Sequence, residues 1–345
     1  MSIFHQVNNK SQLSGKLRSE NADFQVDEIQ QFTPSGAGEH VWLKIKKTGE
    51  NTDWVAKNLA QIANVARRDV SFAGMKDRNA ITTQWFSVQM PGREAPDWQS
   101  ALNEKNQSSI QVLEEHRHNR KLKRGALKGN KFKIRLREFK GSEDELSDSI
   151  KRISTEGVPN YYGTQRFGHN GNNVEKAKKW FAGEFKVKDR NMRSIYLSAA
   201  RSWIFNHILS QRVLSGSWNQ ALTGDVYMLN GSNSSFIPDG DDENKQDILK
   251  RLRSFDIHPS GALWGRGRIS TQGTVADIEN EIASKFADLC NGLEMNGLKQ
   301  ERRSLRLLVS DLKYEMQDAE TVVLDFSLIS GAYATTVLAE LGNFN

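Results

Sequence analysis

Asp77 lies between two cations, Lys76 and Arg78, in the stretch FAGMKDRNAITTQWFSV that runs from Phe72 to Val88. Gly74 precedes the charged cluster and a Thr-rich passage follows it, so the carboxylate sits at a turn between two apolar runs. On local pattern alone it is an ordinary turn Asp bonding its own backbone. The other reading is chemistry that one carboxylate performs without a metal or a histidine. Such a group attacks a glycosidic C1′ or stabilises oxocarbenium-like charge there. It also adds to an electron-poor pyrimidine ring or removes a proton. Each of these needs the ionised acid, and adjacent cations favour that form.

Other chemistry is not signalled. GALKGNK (125–131) has the glycines of a phosphate loop but not the G-x-x-x-x-G-K-[ST] spacing. There is no G-x-G-x-x-G after a strand, no G-x-S-x-G and no Cys-x-x-Cys. The seven histidines are scattered; His116 and His118 could share one face of a strand but lack a third ligand. No metal and no nucleotide or redox cofactor is expected. The single cysteine, Cys290, rules out an internal disulfide framework and suits the cytosol; a buried, inert thiol is expected of it.

Charge supplies the second clue. The net charge is +6, and the segment His116 to Arg137, HRHNRKLKRGALKGNKFKIRLR, holds ten Lys/Arg and no acids, leaving −4 for the rest of the chain. That concentration is the electrostatic footprint expected on a polyanion. The cations nominated for contact with that polyanion are Arg117, Arg120, Lys121, Lys123, Arg124, Lys128, Lys131 and Lys133. With 37% hydrophobic and 26% charged residues the chain reads as soluble and globular. No apolar run approaches the ~18 residues needed to span a membrane, and MSIFHQVNNKSQLSGK has neither a signal-peptide nor a transit pattern. A cytoplasmic protein without a membrane partner is expected. Nothing forces association, so a monomer is expected too. The 345 residues suffice for two domains, or one with a large insertion.

The elements around the loop follow from periodicity. HVWLKIKK (40–47) alternates, with Val41, Leu43 and Ile45 on one face of a strand. Thr52 can cap a helix whose apolar positions are Val55, Leu59, Ile62 and Ala66. DVSFAG and QWFSVQM (84–90) read as the strands on either side of the Asp77 loop. KFKIRLR (131–137) turns Phe132, Ile134 and Leu136 inward and Lys131, Lys133, Arg135 and Arg137 outward. Helices are expected at 143–156, 174–182, 194–214 and 274–292, with a polar, mobile excursion at 230–242. Strands at 304–312 and 321–328 and a helix at 331–342, capped by Gly342, close the chain.

These residues also match a family. FAGMKDRNAITTQW resembles G-x-K-D-x-x-x-x-T-x-Q, a signature of the TruD family of tRNA pseudouridine synthases, through Gly74, Lys76, Asp77, Thr82 and Gln84. ENADFQVDEI is similar to the family's N-P-x-D-F-x-V-x-E box, with Glu20-Asn21 in place of Asn-Pro. RKLKRGALKGNKF, GVPNYYGTQRFG with SAARSWIFN, and SGAYATTVLAEL resemble its remaining motifs, in the family's order along the chain.

The resemblance implies isomerisation of uridine to pseudouridine in tRNA, at position 13 in bacterial members, without cofactor or metal. The N1–C1′ bond breaks and a C5–C1′ bond forms. Asp77 matches the essential aspartate; attack at C1′, addition at C6 and proton abstraction at C2′ stay open for it. Phe24, Asn130 and Tyr333 match substrate-contacting positions, where an extruded base needs a ring to stack on and an amide for its edge. Tyr333 stands where the family usually has Phe, so its hydroxyl needs a partner. Arg18 occupies the place of a cation that would pair with the carboxylate, and Lys76 is a second candidate. Gln84, Gln165 and Arg166 are expected to brace the motifs, and Arg201 and Asn206, on a mostly apolar helix, to serve structure. The implied fold is α+β: a catalytic domain (1–156 and 308–345) on a mixed, largely antiparallel sheet with flanking helices, and an inserted α+β domain (157–307). A non-catalytic RNA-binding protein or chaperone, and an RNA glycosidase or nuclease, are the alternatives.

Overall fold

The computed structural model describes residues 4–8, 11–31, 33–105, 107, 109–238 and 242–345. In chain order the first strands are β1 (Ser14–Leu17), β2 (Phe24–Ile29), β3 (His40–Thr48), β4 (Val70–Phe72), β5 (Ile81–Gln89), β6 (Ile110–His118) and β7 (Gly129–Lys140). Among them lie helices α1 (Thr52–Ile62) and α2 (Trp98–Glu104). The middle holds α3 (Glu143–Glu156), β8 (Val158–Pro159), α4 (Asn172–Phe181), α5 (Arg190–Leu214), β9 (Tyr227–Leu229), β10 (Ser235–Phe236), α6 (Asp242–Arg253) and β11 (Ile257–Leu263). Then come α7 (Gly273–Lys285), α8 (Ala287–Met295), β12 (Glu301–Ser304), β13 (Arg306–Leu307), β14 (Ser310–Asp318), β15 (Thr321–Ile329), α9 (Ala334–Leu341) and β16 (Asn343–Phe344).

The chain divides into two compact units. The sheet unit comprises Gln12–Glu143, Ser310–Gly331 and Asn343–Asn345; the helical unit comprises Met1–Ser11, Asp144–Val309 and Ala332–Gly342. The segment read as an insertion, 157–307, falls within the helical unit, which also takes most of α3 and the closing helix α9.

The sheet unit is built on strands ordered β14-β15-β7-β2-β5-β3-β6, with β1 alongside β7, β16 on β1 and β4 on β5. Among the described residues of this sheet only β2–β5 and β1–β16 pair in parallel, which gives the mixed, largely antiparallel sheet of the α+β class. Alternation explains its two faces. Val41, Leu43 and Ile45 pack with Val55 and Leu59 of α1, Phe72, Phe86 and Trp98. Trp42 points the other way, into a cluster with Ala73, Trp85, Leu122 and Leu127. That second cluster seats the basic segment: the Trp42 indole donates to Arg120 O (2.9 Å) and Leu122 N donates to Ser87 Oγ (3.0 Å).

In the helical unit the long α5 packs against α4, α7, α8 and β11. A four-stranded sheet, β10-β9-β11-β12, and the β8–β13 pair complete it. Arg201 donates to the carbonyls of Leu263 and Trp264, and Asn206 bonds both backbone groups of Tyr162, so these two residues of α5 brace the fold.

Several local expectations change. Thr52 is the first helical residue, not the cap, and Ala66 lies beyond α1. The helix expected over 274–292 is two, because Phe286 leaves helical geometry (φ −124°, ψ 37°) with its ring 4.6 Å from that of His207. The strand expected over 304–312 is shared out among β12, β13 and β14, which join three different partners. Gly342 follows α9 with extended backbone (φ 176°), so it is no left-handed cap. Part of the excursion 230–242 is the short β9–β10 hairpin; its residues 239–241 lie outside the described ones. β6 and α2 were not foreseen.

Candidate active site

Asp77 stands on the loop between β4 and β5, and its carboxylate accepts a 2.7 Å hydrogen bond from Arg18 Nη2. Neither flanking cation touches it. Lys76 turns inward and pairs with Glu28 Oε1 at 2.5 Å, with side chains only 8% and 2% exposed. Arg78 is exposed and donates to Gly49 O (3.2 Å). Of the two cations nominated as partner, Arg18 is therefore the one in contact, and it comes from 59 residues earlier in the chain.

The loop is pinned from beneath. The Thr52 hydroxyl accepts from Lys76 N (3.0 Å) and donates to Gln84 Oε1 (2.9 Å), while Gln84 Nε2 donates to Gly74 O (3.2 Å). Gln84 thus holds both ends of the turn leading into Asp77. Glu28 Oε2 accepts from Trp85 N (2.9 Å), tying the Lys76 pair to β5. A third anchor is Lys47, fully buried, whose Nζ donates to Glu50 O (2.6 Å) and Asp77 O (3.1 Å). Burial pulls its pKa down to about 8; Lys76 lowers it further, and Asp77 and Glu50 act in the opposite direction. Lys47 was missed, yet it continues the inward series 41, 43, 45 by one more step. A lysine in an inward register is a signal in its own right.

Phe24 begins β2 opposite Ile134 of β7, and Glu28 lies opposite Asn130. Phe24 and Glu28 are four residues apart on one strand, so with Asn130 they share one face of the sheet. The Phe24 ring is 3% exposed, edge-on to Phe132, and the Arg18 guanidinium lies 4.0 Å from its centroid. Arg18 itself has left-handed backbone (φ 62°). Three buried polar atoms at this site have no partner among the described residues, Arg18 Nε, Asn130 Oδ1 and Thr82 Oγ1.

Asp23, beside Phe24, was also missed. It is fully buried and takes two guanidinium nitrogens of Arg137 (2.9–3.0 Å) and Glu20 N (3.0 Å). Burial alone would raise its pKa, but the Arg137 and Glu20 hydrogen bonds and the charges of Arg137 and Arg135 hold it below the usual value. This corrects the reading of β7 as four free cations. Arg137 and Arg135 face Asp23, whereas Lys131 and Lys133 are exposed.

Of the other nominated cations, Arg120, Lys121, Lys123, Arg124 and Lys128 are exposed. Lys121 Nζ donates to Arg68 O (2.9 Å) and Arg124 lies 5.6 Å from the Phe72 ring centroid. Arg117 is half-buried and donates to the carbonyls of Met90 and Arg93, so its guanidinium is committed to backbone. His118 Nδ1 accepts from Ser35 N (3.0 Å), and its ring lies 4.4 Å from that of Trp42.

The helical unit holds the remaining candidates. The Tyr333 hydroxyl finds its partner in Arg166 Nη2 (2.9 Å). Arg166 also lies over the Tyr162 ring, 5.3 Å from its centroid. Gly163 packs so close to Tyr333 that an added Cβ would meet the ring at 3.2 Å. Gln165 has an exposed side chain; its carbonyl accepts from Gly168 N. Cys290 is buried, and burial pushes its thiol up to about 12.

A family model described as tRNA pseudouridine synthase D (TruD) matches residues 1–178 and 170–341. A protein of Methylococcus capsulatus named tRNA pseudouridine synthase D is 49% identical over 331 residues, 96% of this chain and 92% of its own length. A protein of the same name from Hydrogenovibrio crunogenus is 45% identical, covering 94% of this chain and 92% of its own. A crystal structure from Methanosarcina mazei, provisionally given that name, superposes with a TM-score of 0.72 over 98% of this chain and 96% of its own; at 21% identity it speaks for the fold. The chain belongs to the TruD family.

Proposed function

We propose that this member of the TruD family isomerises uridine to pseudouridine in tRNA, at position 13, with Asp77 as the essential carboxylate and without a cofactor. The observation that carries the reading is the Asp77 carboxylate, fixed by Arg18 at 2.7 Å and set on a loop braced by Thr52, Gln84 and Lys47. A braced carboxylate with one side-chain partner is free to meet C1′, C6 or the C2′ proton of a bound nucleotide. In the reaction the N1–C1′ bond breaks, the uracil turns and C5 bonds to C1′. The C5 proton leaves to solvent and N1 takes one up, so mass is unchanged.

Asn130 Oδ1, buried and unbonded, suits the N–H of a uracil edge. Phe24 supplies a ring for an extruded base. For a base to stack on Phe24, the Arg18 guanidinium that covers its ring has to give way. The exposed cations of the basic segment hold RNA phosphates, with the salt dependence such contacts carry. The same reading has the protein act as a cytoplasmic monomer.

The test is incubation of unmodified tRNA with the wild type and with Asp77→Asn, followed by carbodiimide-adduct mapping and mass measurement. Pseudouridine at one site with the wild type only, at constant mass, is expected. Equal activity of the variant would remove Asp77 from the chemistry. Base loss or strand cleavage would replace isomerisation by hydrolysis.

A further inference from the structure

The segment 116–137 is not the only place where positive charge gathers. Residues 176–193 carry seven Lys/Arg and two acids, a balance of +5, and outside both segments the chain stands at −9. This second run leads into α5, where Arg190, Arg193, Ser194, Ser198 and Arg201 form one wall of a groove of about 470 Å³. Their spacing of three and four residues places them on one face across three helical turns. Asn296 and Leu298 stand opposite, and no carboxylate lines the groove among the described residues.

Helix stability does not account for these cations. Arg190 and Arg193 occupy the first turn of a 25-residue helix, the positive end of its dipole. A cation there opposes the dipole, and like charges on adjacent turns repel each other. Asp189 forms no ion pair with either arginine among the described residues; its Oδ1 caps the helix, accepting from Asn191 N (2.6 Å) and Met192 N (3.2 Å). Arg190 is exposed and without a hydrogen-bond or ion-pair partner among the described residues. Arg193 is exposed but steadied over Trp180, 5.5 Å from its ring centroid. Arg201, at the inner end, is already satisfied by Glu301 and backbone carbonyls, so it adds neither free donors nor net charge and only closes the groove. The arrangement is two free guanidinium forks and two serine hydroxyls along one helix face.

We propose that the α5 groove is a second phosphate-binding surface, which takes a tract of RNA backbone other than the one held by residues 116–137. This rests on the reading of tRNA as substrate. Guanidinium forks match phosphate oxygens two at a time, and hydroxyls add donors without reading sequence. The surface positions the RNA and leaves the chemistry to Asp77.

The experiment uses the full chain and an unmodified tRNA transcript, comparing wild type, Arg190→Gln and Arg190→Gln/Arg193→Gln. The double variant should raise KM for tRNA about tenfold, keep kcat at saturation, and lower the slope of log affinity against log salt by roughly 1.5, the share of two phosphate contacts. Arg190→Gln, which breaks no contact seen in the fold, should show about half that slope change. A charge-matched control, Lys151→Gln/Lys250→Gln, should leave the slope unchanged. Wild-type KM and slope in both arginine variants, or an equal loss in the control, would overturn the proposal. A wild type that binds tRNA with the expected slope but forms no pseudouridine would sink the enzymatic reading and leave the groove standing.

Discussion

Replacing Lys47 by methionine should cost activity far more than stability. The Lys47 ammonium is fully buried and bonds two carbonyls, one of them that of Asp77. Holding it charged with a pKa of about 8, against 10.5 in the unfolded chain, costs roughly 3 kcal/mol. Methionine fills similar space and removes that cost, but it leaves two carbonyls unbonded at about 1–3 kcal/mol each. The two effects nearly cancel, so unfolding free energy should move by no more than about 2 kcal/mol. The loop bearing Asp77, however, loses its deepest anchor, and a misplacement on the order of 1 Å costs ~100-fold in rate. The assay is single-turnover pseudouridine formation at saturating tRNA, beside denaturant unfolding from pH 7 to 10.5. The folded-state pKa is depressed, so between pH 8 and 10.5 the unfolded chain binds the extra proton and wild-type stability rises with pH. The methionine variant should lack that rise. A folded variant that keeps its rate within threefold would refute the positioning role, and one that keeps the pH-dependent rise would refute the assignment of that titration to Lys47.

Glu28→Gln removes the carboxylate from a nearly buried Lys76 and should destabilise the sheet unit by about 3–5 kcal/mol in urea unfolding. Adding Lys76→Met should recover most of that loss; no recovery would mean Glu28 matters through Trp85 N alone. Tyr333→Phe deletes only the hydroxyl that accepts from Arg166 and should lower stability by about 1 kcal/mol with activity kept within twofold. A tenfold loss of activity in that variant would show that the hydroxyl itself takes part.

Legibility from sequence followed the strength of the local period. β7 alternates cleanly from Lys131 to Arg137, with Phe132, Ile134 and Leu136 buried, and the inward Val41, Leu43 and Ile45 of β3 are buried as expected, although Trp42 is buried on the other face as well. SLRLLVSDL misled because its residues are divided among the end of β12, the two-residue β13 and the start of β14, and a change of pairing partner leaves no mark on a period of two. Phe286 sits within an unbroken helical pattern, so its break depends on a ring that lies far off in sequence. The Asp77 loop was legible as a turn. Its partner was not legible from the neighbouring residues, since Lys76 and Arg78 look like the natural ion pairs and both are engaged elsewhere. Arg18 entered only through the motif resemblance. Glu28 and Asp23 lay inside a recognised box, but their work depends on Lys76 and Arg137, which no spacing rule connects to them.

The cations of the site divide by what they bond, and that division sets which of them can move. Lys76 is locked to a buried carboxylate and Lys47 to two carbonyls, so displacing either would strand charge or acceptors in the interior. Arg18 is held less firmly. Its side chain is 26% exposed, its Nε bonds nothing, and its backbone sits in the left-handed region, which costs an L-residue roughly 1–2 kcal/mol. Its stacking on Phe24 and its bond to Asp77 offset that strain, and a planar base on the same ring would compete for the first while leaving the second in reach. Arg18 is therefore the one cation here that can release the ring and keep the carboxylate. Lys76 and Lys47 can only hold the floor on which such an exchange would take place.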